Sequence, residues 1–245
     1  MKFKICFFLM FSMLCYGQNN STLNIEYSYS TKLEGTYSRI TINSTLIANQ
    51  IHSIYEMNFN ENNKETLSQE SGEEGTVYNI KSKVNPKIYK DLKSKNIYSV
   101  ELIGLKPFIV RDTMAVFKWN FLTEYKSILG YKCQKANVNY RGRDYVAYFT
   151  TELPFNAGPW KFSGLPGVIL EVASLDNVFE IKANKIQLKN EATNLHRPNL
   201  KNLSITWNDY IKEYNKKYNE LLYYTSPNGG TSSLPKRQIE VLVEE

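Results

Sequence analysis

Apolar and polar residues alternate through most of the chain, and the apolar positions are mainly aromatic or β-branched. A period of two with these residue types indicates half-buried antiparallel strands. The segments with this pattern are 23–31, 36–45, 47–59, 76–83, 97–103, 114–123, 131–140, 144–151, 167–174, 178–189 and 239–244. The pattern therefore predicts a mainly β protein of the β-rich α+β class.

Two pairs of these segments lie close enough in sequence to form hairpins. The first pair, 131–140 and 144–151, is joined through Arg141-Gly142-Arg143, where Gly142 can take the positive φ that a tight turn requires. The second pair is joined through Asp176-Asn177, which are both turn-favouring residues. Hairpins of this kind predict neighbouring antiparallel strands in one sheet.

One segment, about 204–224, has a helical period instead. Its apolar residues fall at spacings of three and four and form one stripe, which consists of Trp207, Ile211, Tyr214, Tyr218, Leu221 and Leu222. Asn202 or Ser204 is expected to cap its N-terminus. The stripe predicts a helix docked on a sheet, with an aromatic ligand site as the alternative. We therefore expect one large curved antiparallel sheet, half-barrel-like, with this helix packed on it.

The N-terminus has the pattern of a cleaved secretory signal. Lys2 and Lys4 precede an apolar run over 5–14, and Gly17 ends a small-residue cleavage pattern. That run is too short to span a bilayer, which takes about 20 residues. Cys15 leaves open the alternative of a lipid anchor. We expect a signal peptide at 1–17, a single domain at 18–245, and a location in the periplasm, in the cell envelope or outside the cell.

Charge and cysteine usage narrow the classes of partner. The formal net charge is +6, but lysines are interspersed with glutamates, as in Lys212-Glu213, which indicates a solvated surface and no nucleic-acid partner. Cys6 and Cys15 would leave with the signal, so Cys133 has no partner for an internal disulfide. The mature chain has no other apolar run of membrane-spanning length, which predicts no transmembrane segment.

Recognisable catalytic and cofactor motifs are missing from the sequence. His52 and His196 lie far apart and outside any metal-ligand spacing, and no phosphate-binding glycine loop is present, so we expect no metal and no cofactor. Cys133 lies on a predicted strand and is interpreted as a small core residue. Ser163 lacks the G-x-S-x-G pattern that exposes a catalytic serine. No catalytic residue is assigned.

The segment 158–171, Gly-Pro-Trp-Lys-Phe-Ser-Gly-Leu-Pro-Gly-Val-Ile-Leu-Glu, concentrates glycine, proline and aromatic residues directly before an apolar strand. Pro166 and Gly167 suit the central positions of a type II turn, because proline presets φ and glycine accepts a positive φ. Trp160 and Phe162 alternate with Lys161, so their rings point the same way in an extended chain. The segment predicts a rigid aromatic loop folded against the sheet.

The string from Gly164 to Ile169 resembles the signature of the GLPGLI family, a group of exported proteins of Gram-negative bacteria, with Val168 in place of a leucine. The resemblance extends over about 112–182, through the Gly130-Tyr131-Lys132-Cys133 motif and the Arg141-Gly142-Arg143 turn. It implies an exported protein without an established activity, and it carries over no catalytic residue.

Three functional hypotheses follow. The first is a non-enzymatic envelope protein that binds a small apolar ligand or a peptide. Its expected ligand contacts are Trp160, Phe162, Leu165, Pro166, Arg141 and Arg143. The alternative interpretation of the two arginines is that they lie in solvent at the tip of a hairpin and contact no ligand. The second is an accessory subunit or adaptor of an outer-membrane receptor or export system. The third is a hydrolase built on Glu152, Glu171 or Ser163, of which two would have to converge in a cleft.

Overall fold

The computed structural model describes residues 21–32, 39–59, 85–191, 193–195, 204–224, 233–236 and 239–243. Over these residues the chain forms strands β1 (Thr22–Lys32), β2 (Arg39–Ala48), β3 (His52–Met57), β4 (Lys87–Asp91), β5 (Asn96–Ile103), β6 (Lys106–Thr113), β7 (Asn120–Ile128), β8 (Tyr131–Tyr140), β9 (Arg143–Thr150), β10 (Val168–Ser174), β11 (Phe179–Lys189) and β12 (Ile205–Thr206). A 3₁₀ turn (Met114–Val116) lies between β6 and β7, and helix α1 (Trp207–Leu222) follows β12.

All these strands belong to one sheet. Their spatial order is β12-β6-β5-β4-β3-β2-β1-β11-β10-β9-β8-β7. Neighbouring strands are antiparallel, except that β12 pairs with β6 in parallel. The predicted fold class, a mainly β protein with one large antiparallel sheet and a helix near the C-terminal end of the chain, is confirmed.

The sheet is strongly curved, and the connection from β6 to β7 shows why. These strands are second and last in the spatial order, so ten strand spacings of about 4.8 Å would separate them by about 48 Å in a flat sheet. Only six residues, 114–119, connect them, and that length of chain reaches at most about 25 Å. The two ends of the sheet therefore approach each other and enclose a concave interior.

Aromatic side chains fill this interior. The ring of Phe162 lies 5.0 Å from Tyr145, 5.2 Å from Trp160 and 5.6 Å from Phe117, measured between centroids. Tyr140 joins the same cluster at 4.5 Å from Phe117. Because Trp160 and Phe162 come from the connection between β9 and β10, the predicted aromatic loop forms part of the core beneath the sheet.

The structure differs from the predicted strands in several places. β4 and β6 were missed because β4 is short and lysine-rich and because Pro107 interrupts the pattern of β6. The first part of predicted strand 114–123 is the 3₁₀ turn. Instead of a strand, the predicted segment 239–244 contains an isolated bridge at Val241. The predicted strand 76–83 and the signal peptide at 1–17 lie outside the described residues.

Helix α1 begins later than predicted. Thr206, and not Asn202 or Ser204, caps it, since the Thr206 hydroxyl accepts a hydrogen bond from the backbone N–H of Asp209. The buried residues of the helix are Tyr210 and Tyr214, so the inward face is centred on these tyrosines and not on the whole predicted stripe. They pack with Ile103, Val110 and Leu242 in a second, smaller core. None of the helices in the described parts of the chain is long and apolar enough to cross a membrane.

Candidate functional site

The two ends of the sheet are joined by an ionic cluster, which we call the seam and define by Asp112, Arg141, Lys161, Trp207 and Glu240. Arg141, in the turn between β8 and β9, places Nη2 2.7 Å from Asp112 Oδ2 near the end of β6. Its Nη1 also pairs with Glu240. Because β6 and β8 are second and eleventh in the spatial order, these ion pairs connect distant parts of the sheet.

The hairpin turn that presents Arg141 has the positive φ at Gly142 that the sequence predicted. Gly142 has a φ of 76° and Arg141 a φ of 47°, as a type I′ turn requires. A Cβ atom at position 142 would lie 2.7 Å from Val241 Cγ2, so a side chain there would displace the segment that carries Glu240. The turn also holds the Arg141 guanidinium 3.4 Å from the ring centroid of Trp207, a cation–π contact that fixes both side chains.

Lys161 is the buried centre of the seam. Its side chain is 1% exposed, and its Nζ lies 2.7 Å from Glu240 Oε2 and 2.8 Å from Glu101 Oε1. The hydroxyl of Tyr140 donates a further hydrogen bond of 2.7 Å to Glu240. Every charged group at the centre therefore has an opposite charge within hydrogen-bonding distance, as burial of charge requires.

These contacts keep Glu240 and Lys161 ionised. Burial alone would raise the pKa of Glu240, but the charges of Lys161 and Arg141 outweigh it and lower that pKa. Burial alone would lower the pKa of Lys161, but Glu101 and Glu240 outweigh it and raise that pKa. Neither group is poised to exchange a proton near neutral pH. The seam is suited to positioning side chains rigidly, and Trp207 and Arg141 are the ones it presents to the surface.

A cleft opens beside these two residues. This Trp207 cleft encloses about 600 Å³. Its lining residues are Asn96, Arg111, Asp112, Thr113, Val116, Arg141, Thr206, Trp207 and Asn208. Seven of these nine residues have polar side chains, and Trp207 is counted separately. A cleft of about 760 Å³ lies next to it, and Arg141, Trp207 and Asn208 line both.

A second kind of cleft lies at the glycine- and proline-rich segment. This Pro166 cleft also encloses about 600 Å³. It is lined by Leu92, Lys95, Met114, Ala115, Phe117, Lys118, Phe121, Asn156, Gly164, Leu165 and Pro166. Seven of these eleven residues are apolar, and two are lysines. The two clefts therefore differ in the kinds of residue that line them, although they lie in the same region of the protein.

The structure separates the six residues that the sequence suggested as ligand contacts. Arg141 lies in the seam and lines the Trp207 cleft, whereas Pro166 is exposed at the Pro166 cleft beside the buried Leu165. Trp160 and Phe162 are 5% and 0% exposed. Arg143 is buried, with Nε 3.0 Å from Asp176 Oδ2. A ligand contact by any of the six stays a prediction.

The backbone of the glycine- and proline-rich segment is tightly constrained. Gly167 has a φ of 133°, and a Cβ atom there would lie 2.0 Å from the carbonyl oxygen of Thr150. The predicted positive φ is confirmed, but the hydrogen bond runs from the Gly167 N–H to Leu165 O over 2.9 Å. That bond closes a three-residue γ-turn in place of the predicted type II turn. Glycine at 167 is thus required by close packing against β9.

Sequence reasoning missed most of the seam. Glu240 pairs with Lys161 across 79 residues, and nothing local in the sequence connects the two. The available signal was Lys161 itself, since a lysine between two core aromatics needs a buried partner. Lys90 was missed in the same way. It is 0% exposed, and its Nζ donates to Gly158 O over 2.5 Å and to Phe162 O over 2.8 Å.

The residues considered for hydrolytic chemistry have separate structural contacts. Glu152 accepts a hydrogen bond from the Lys132 backbone N–H, and Glu171 pairs with Lys126 at 2.5 Å. Ser163 is buried, and its hydroxyl donates to the carbonyl of Lys161.

Cys133 is a buried core residue, as predicted, and burial raises the pKa of its thiol to about 11. In the described part of the chain, no group of three or more histidine, cysteine, aspartate or glutamate residues is arranged to hold a metal ion.

This geometry defines a protein built on one curved, open, mainly antiparallel sheet with surface clefts where its ends meet. The N-terminal domain of PNGase F-II, described as "N-glycanase peptide, N-terminal domain", matches residues 36–209, and the chain belongs to this family. No curated protein matches the sequence.

Two solved structures of PNGF-II, in different space groups, share the fold with 14% and 15% identity and TM-scores of 0.50 and 0.51. Each match covers 81% of this chain but only 33% or 34% of the other, so the chain spans about a third of those proteins.

The family corrects three sequence interpretations. The resemblance to the GLPGLI family is wrong, because the matching family is that of the PNGase F-II N-terminal domain. A short string such as 164–169 meets local turn and packing demands and is therefore weak support for descent. The interpretation as a non-enzymatic binding protein or adaptor is also wrong, because the family is that of an N-glycanase. The hydrolase hypothesis relied on Glu152, Glu171 and Ser163, which have separate structural contacts.

Proposed function

We propose that this chain takes part in N-glycanase catalysis as the domain that engages the N-glycosylated polypeptide. The observation that carries the proposal is the match to the N-terminal domain of an N-glycanase over residues 36–209. An N-glycanase hydrolyses the side-chain amide of the glycosylated asparagine: water adds to the carbonyl carbon, the carbon–nitrogen bond breaks, and the nitrogen leaves with the glycan as a glycosylamine, so that aspartate remains. The chain corresponds to about a third of the PNGF-II structures, so we assign it substrate engagement within such an enzyme.

The Trp207 cleft supports this proposal by its chemistry. A sugar ring has apolar C–H faces and a rim of hydroxyl groups, so it suits a flat aromatic side chain surrounded by hydrogen-bonding groups. Trp207 supplies such a surface, and Asn96, Arg111 and Asn208 supply donors and acceptors.

The seam also reduces the entropic cost of ordering this site. Trp207 is held by Arg141, which is itself paired with Asp112 and Glu240. Side chains that are already ordered lose little entropy when a ligand binds.

A binding assay with a fluorescent N-glycosylated peptide tests the proposal. We expect the glycopeptide to bind more tightly than the same peptide without its glycan, as measured by fluorescence anisotropy. Mass spectrometry of the same mixture detects any conversion of asparagine to aspartate, which would also support a role in deglycosylation. Equal binding of both peptides without conversion would refute the proposal.

Asn208 and Asn219 provide a matched pair of variants for this assay. Both asparagines are exposed on α1, but only Asn208 lines the clefts beside Trp207. We expect Asn208→Ala to weaken glycopeptide binding about tenfold, equivalent to about 1.4 kcal/mol, because hydrogen bonds to the sugar are lost. Asn219→Ala should bind like the unchanged protein. If the Trp207 cleft has no role in binding, both variants will bind the glycopeptide as tightly as the unchanged protein.

A further inference from the structure

The Trp207 cleft and the Pro166 cleft adjoin along two short stretches of chain, 95–96 and 113–116, which we call the wall. Asn96, Thr113 and Val116 line the Trp207 cleft, and their sequence neighbours Lys95, Met114 and Ala115 line the Pro166 cleft. The wall is thus the start of β5 together with the 3₁₀ turn between β6 and β7. A ligand with two chemically different parts could occupy both clefts at once.

The Pro166 cleft offers a sugar fewer polar side chains than the Trp207 cleft does. Its polar side chains are one neutral group, Asn156, and the two lysines. It has exposed apolar surface instead. Phe121 is 49% exposed and held edge-on against Phe149 at 5.8 Å, and Pro166 is exposed as well. Apolar side chains of a polypeptide match this surface.

The two lysines give the Pro166 cleft a definite charge preference. Lys95 and Lys118 are the charged residues among its lining, and within the described parts of the chain neither forms an ion pair with a carboxylate. The backbone at Lys95 is constrained, because its φ is 58° and its carbonyl accepts a hydrogen bond of 2.9 Å from the Met114 N–H. Two such cations next to an apolar surface favour an acidic group beside an apolar one.

We propose that the Pro166 cleft binds the polypeptide part of the substrate and prefers segments in which an apolar residue and an acidic residue flank the glycosylated asparagine. The glycan then lies in the adjoining Trp207 cleft. This inference rests on the proposed function and adds the sequence class of the polypeptide. It also explains why an exposed phenylalanine and two lysines that form no ion pair within the described residues lie beside a glycine- and proline-rich turn packed rigidly against β9.

Three synthetic peptides test this inference by fluorescence anisotropy at low salt. Two carry the same N-glycan and a flanking phenylalanine, and they differ in having either glutamate or lysine next to it. The third is the glutamate peptide without its glycan. We expect the unchanged protein to bind the glutamate glycopeptide about tenfold more tightly than the lysine glycopeptide. Raising the salt concentration should reduce this difference, because solvent-exposed charges are screened.

Lys118→Glu should reverse the preference between the two glycopeptides. The matched control is Lys189→Glu, which makes the same charge change at an exposed lysine of β11 that lines neither cleft. Phe121→Ser tests the apolar part and should weaken binding of both glycopeptides several-fold. Its control is Leu105→Ser, since Leu105 is 99% exposed and lines neither cleft.

The outcomes separate this inference from the proposed function. If both glycopeptides bind equally and Lys118→Glu changes nothing, the polypeptide preference is refuted while glycan binding stands. If the peptide without glycan binds as tightly as its glycosylated form and still responds to Lys118→Glu, the Pro166 cleft is a peptide site and the proposed function is refuted. Loss of the preference in Lys189→Glu would show a general charge effect and would also refute the inference.

Discussion

Two buried lysines hold the same segment of this protein in opposite ways. Lys161, within 158–167, is paired with Glu101 and Glu240, and these carboxylates raise its pKa against the effect of burial. Lys90 reaches the segment from β4 and contacts two backbone carbonyls, and burial lowers its pKa well below the usual range. The carbonyls of Gly158 and Phe162 accept hydrogen bonds from its Nζ, and within the described residues no carboxylate pairs with it. The surroundings, and not the residue type, decide whether a buried lysine carries a charge.

The largest expected effect is that of Lys161→Met. This change leaves Glu240 buried with only part of its compensating charge, and breaking a buried ion pair costs about 3–5 kcal/mol. We expect the free energy of unfolding, measured by urea denaturation at pH 7, to fall by about that amount. The double variant Lys161→Met/Glu240→Gln should recover part of the loss. A single variant as stable as the unchanged protein would contradict the role we assign to the seam.

Lys90→Met should behave differently and depend on pH. Lys90 has a lower pKa in the folded than in the unfolded protein, so the unfolded state binds more protons between these two pKa values. Stability of the unchanged protein therefore rises with pH in that window, by up to about 1.4 kcal/mol per pH unit, until the unfolded-state pKa of about 10.4.

The Lys90→Met variant has no amine at this position, so its stability lacks this pH-dependent contribution. We expect Lys90→Met to gain stability relative to the unchanged protein at pH 7. It should lose that advantage towards pH 10, where only the missing hydrogen bonds matter. Urea denaturation at pH 7, 8.5 and 10 measures the trend. The same relative stability at all three values would show that Lys90 is charged in the folded protein.

Glu101→Gln should have the smallest effect. The Glu101 side chain is 24% exposed, and Lys161 keeps its contact with Glu240 when Glu101 is neutral. We expect a loss of about 1 kcal/mol or less in urea denaturation, close to the value of a partly exposed ion pair. The exposed pair of Glu26 and Lys185 supplies the control, since Glu26→Gln should change stability by less still. If Glu101→Gln loses as much stability as Lys161→Met, Glu101 and not Glu240 is the main partner of Lys161.

Much of the fold could be predicted from the sequence, because the information is local. The alternation of Leu23, Ile25 and Tyr27 in β1 marks one buried face, and Gly142 marks the turn between β8 and β9. Prediction failed where the local sequence signal for an element is weak or where two such signals conflict. Pro107 interrupts β6, β4 has only five residues, and the helix is capped by Thr206 although other cap residues precede it.

The candidate site could be predicted only in fragments. Arg141 and Pro166 were identified because they lie in conspicuous turns, yet the clefts beside them also need Asn96, Phe121 and Trp207 from distant elements. Burial changed the interpretation of Trp160 as well. Aromatic residues look alike in sequence whether they fill a core or line a surface.

The sequence by itself determined most of the strands, the two hairpins, the helix and the tight backbone at 164–167, since each depends on residues close together along the chain. The tertiary structure alone decided the curvature of the sheet, the pairing of Lys161 with Glu240 and the two clefts that adjoin along the wall. These features need contacts between residues that are tens of residues apart. The physical reason is that charge compensation and cavity shape depend on distances in space, which a pattern along the chain does not contain.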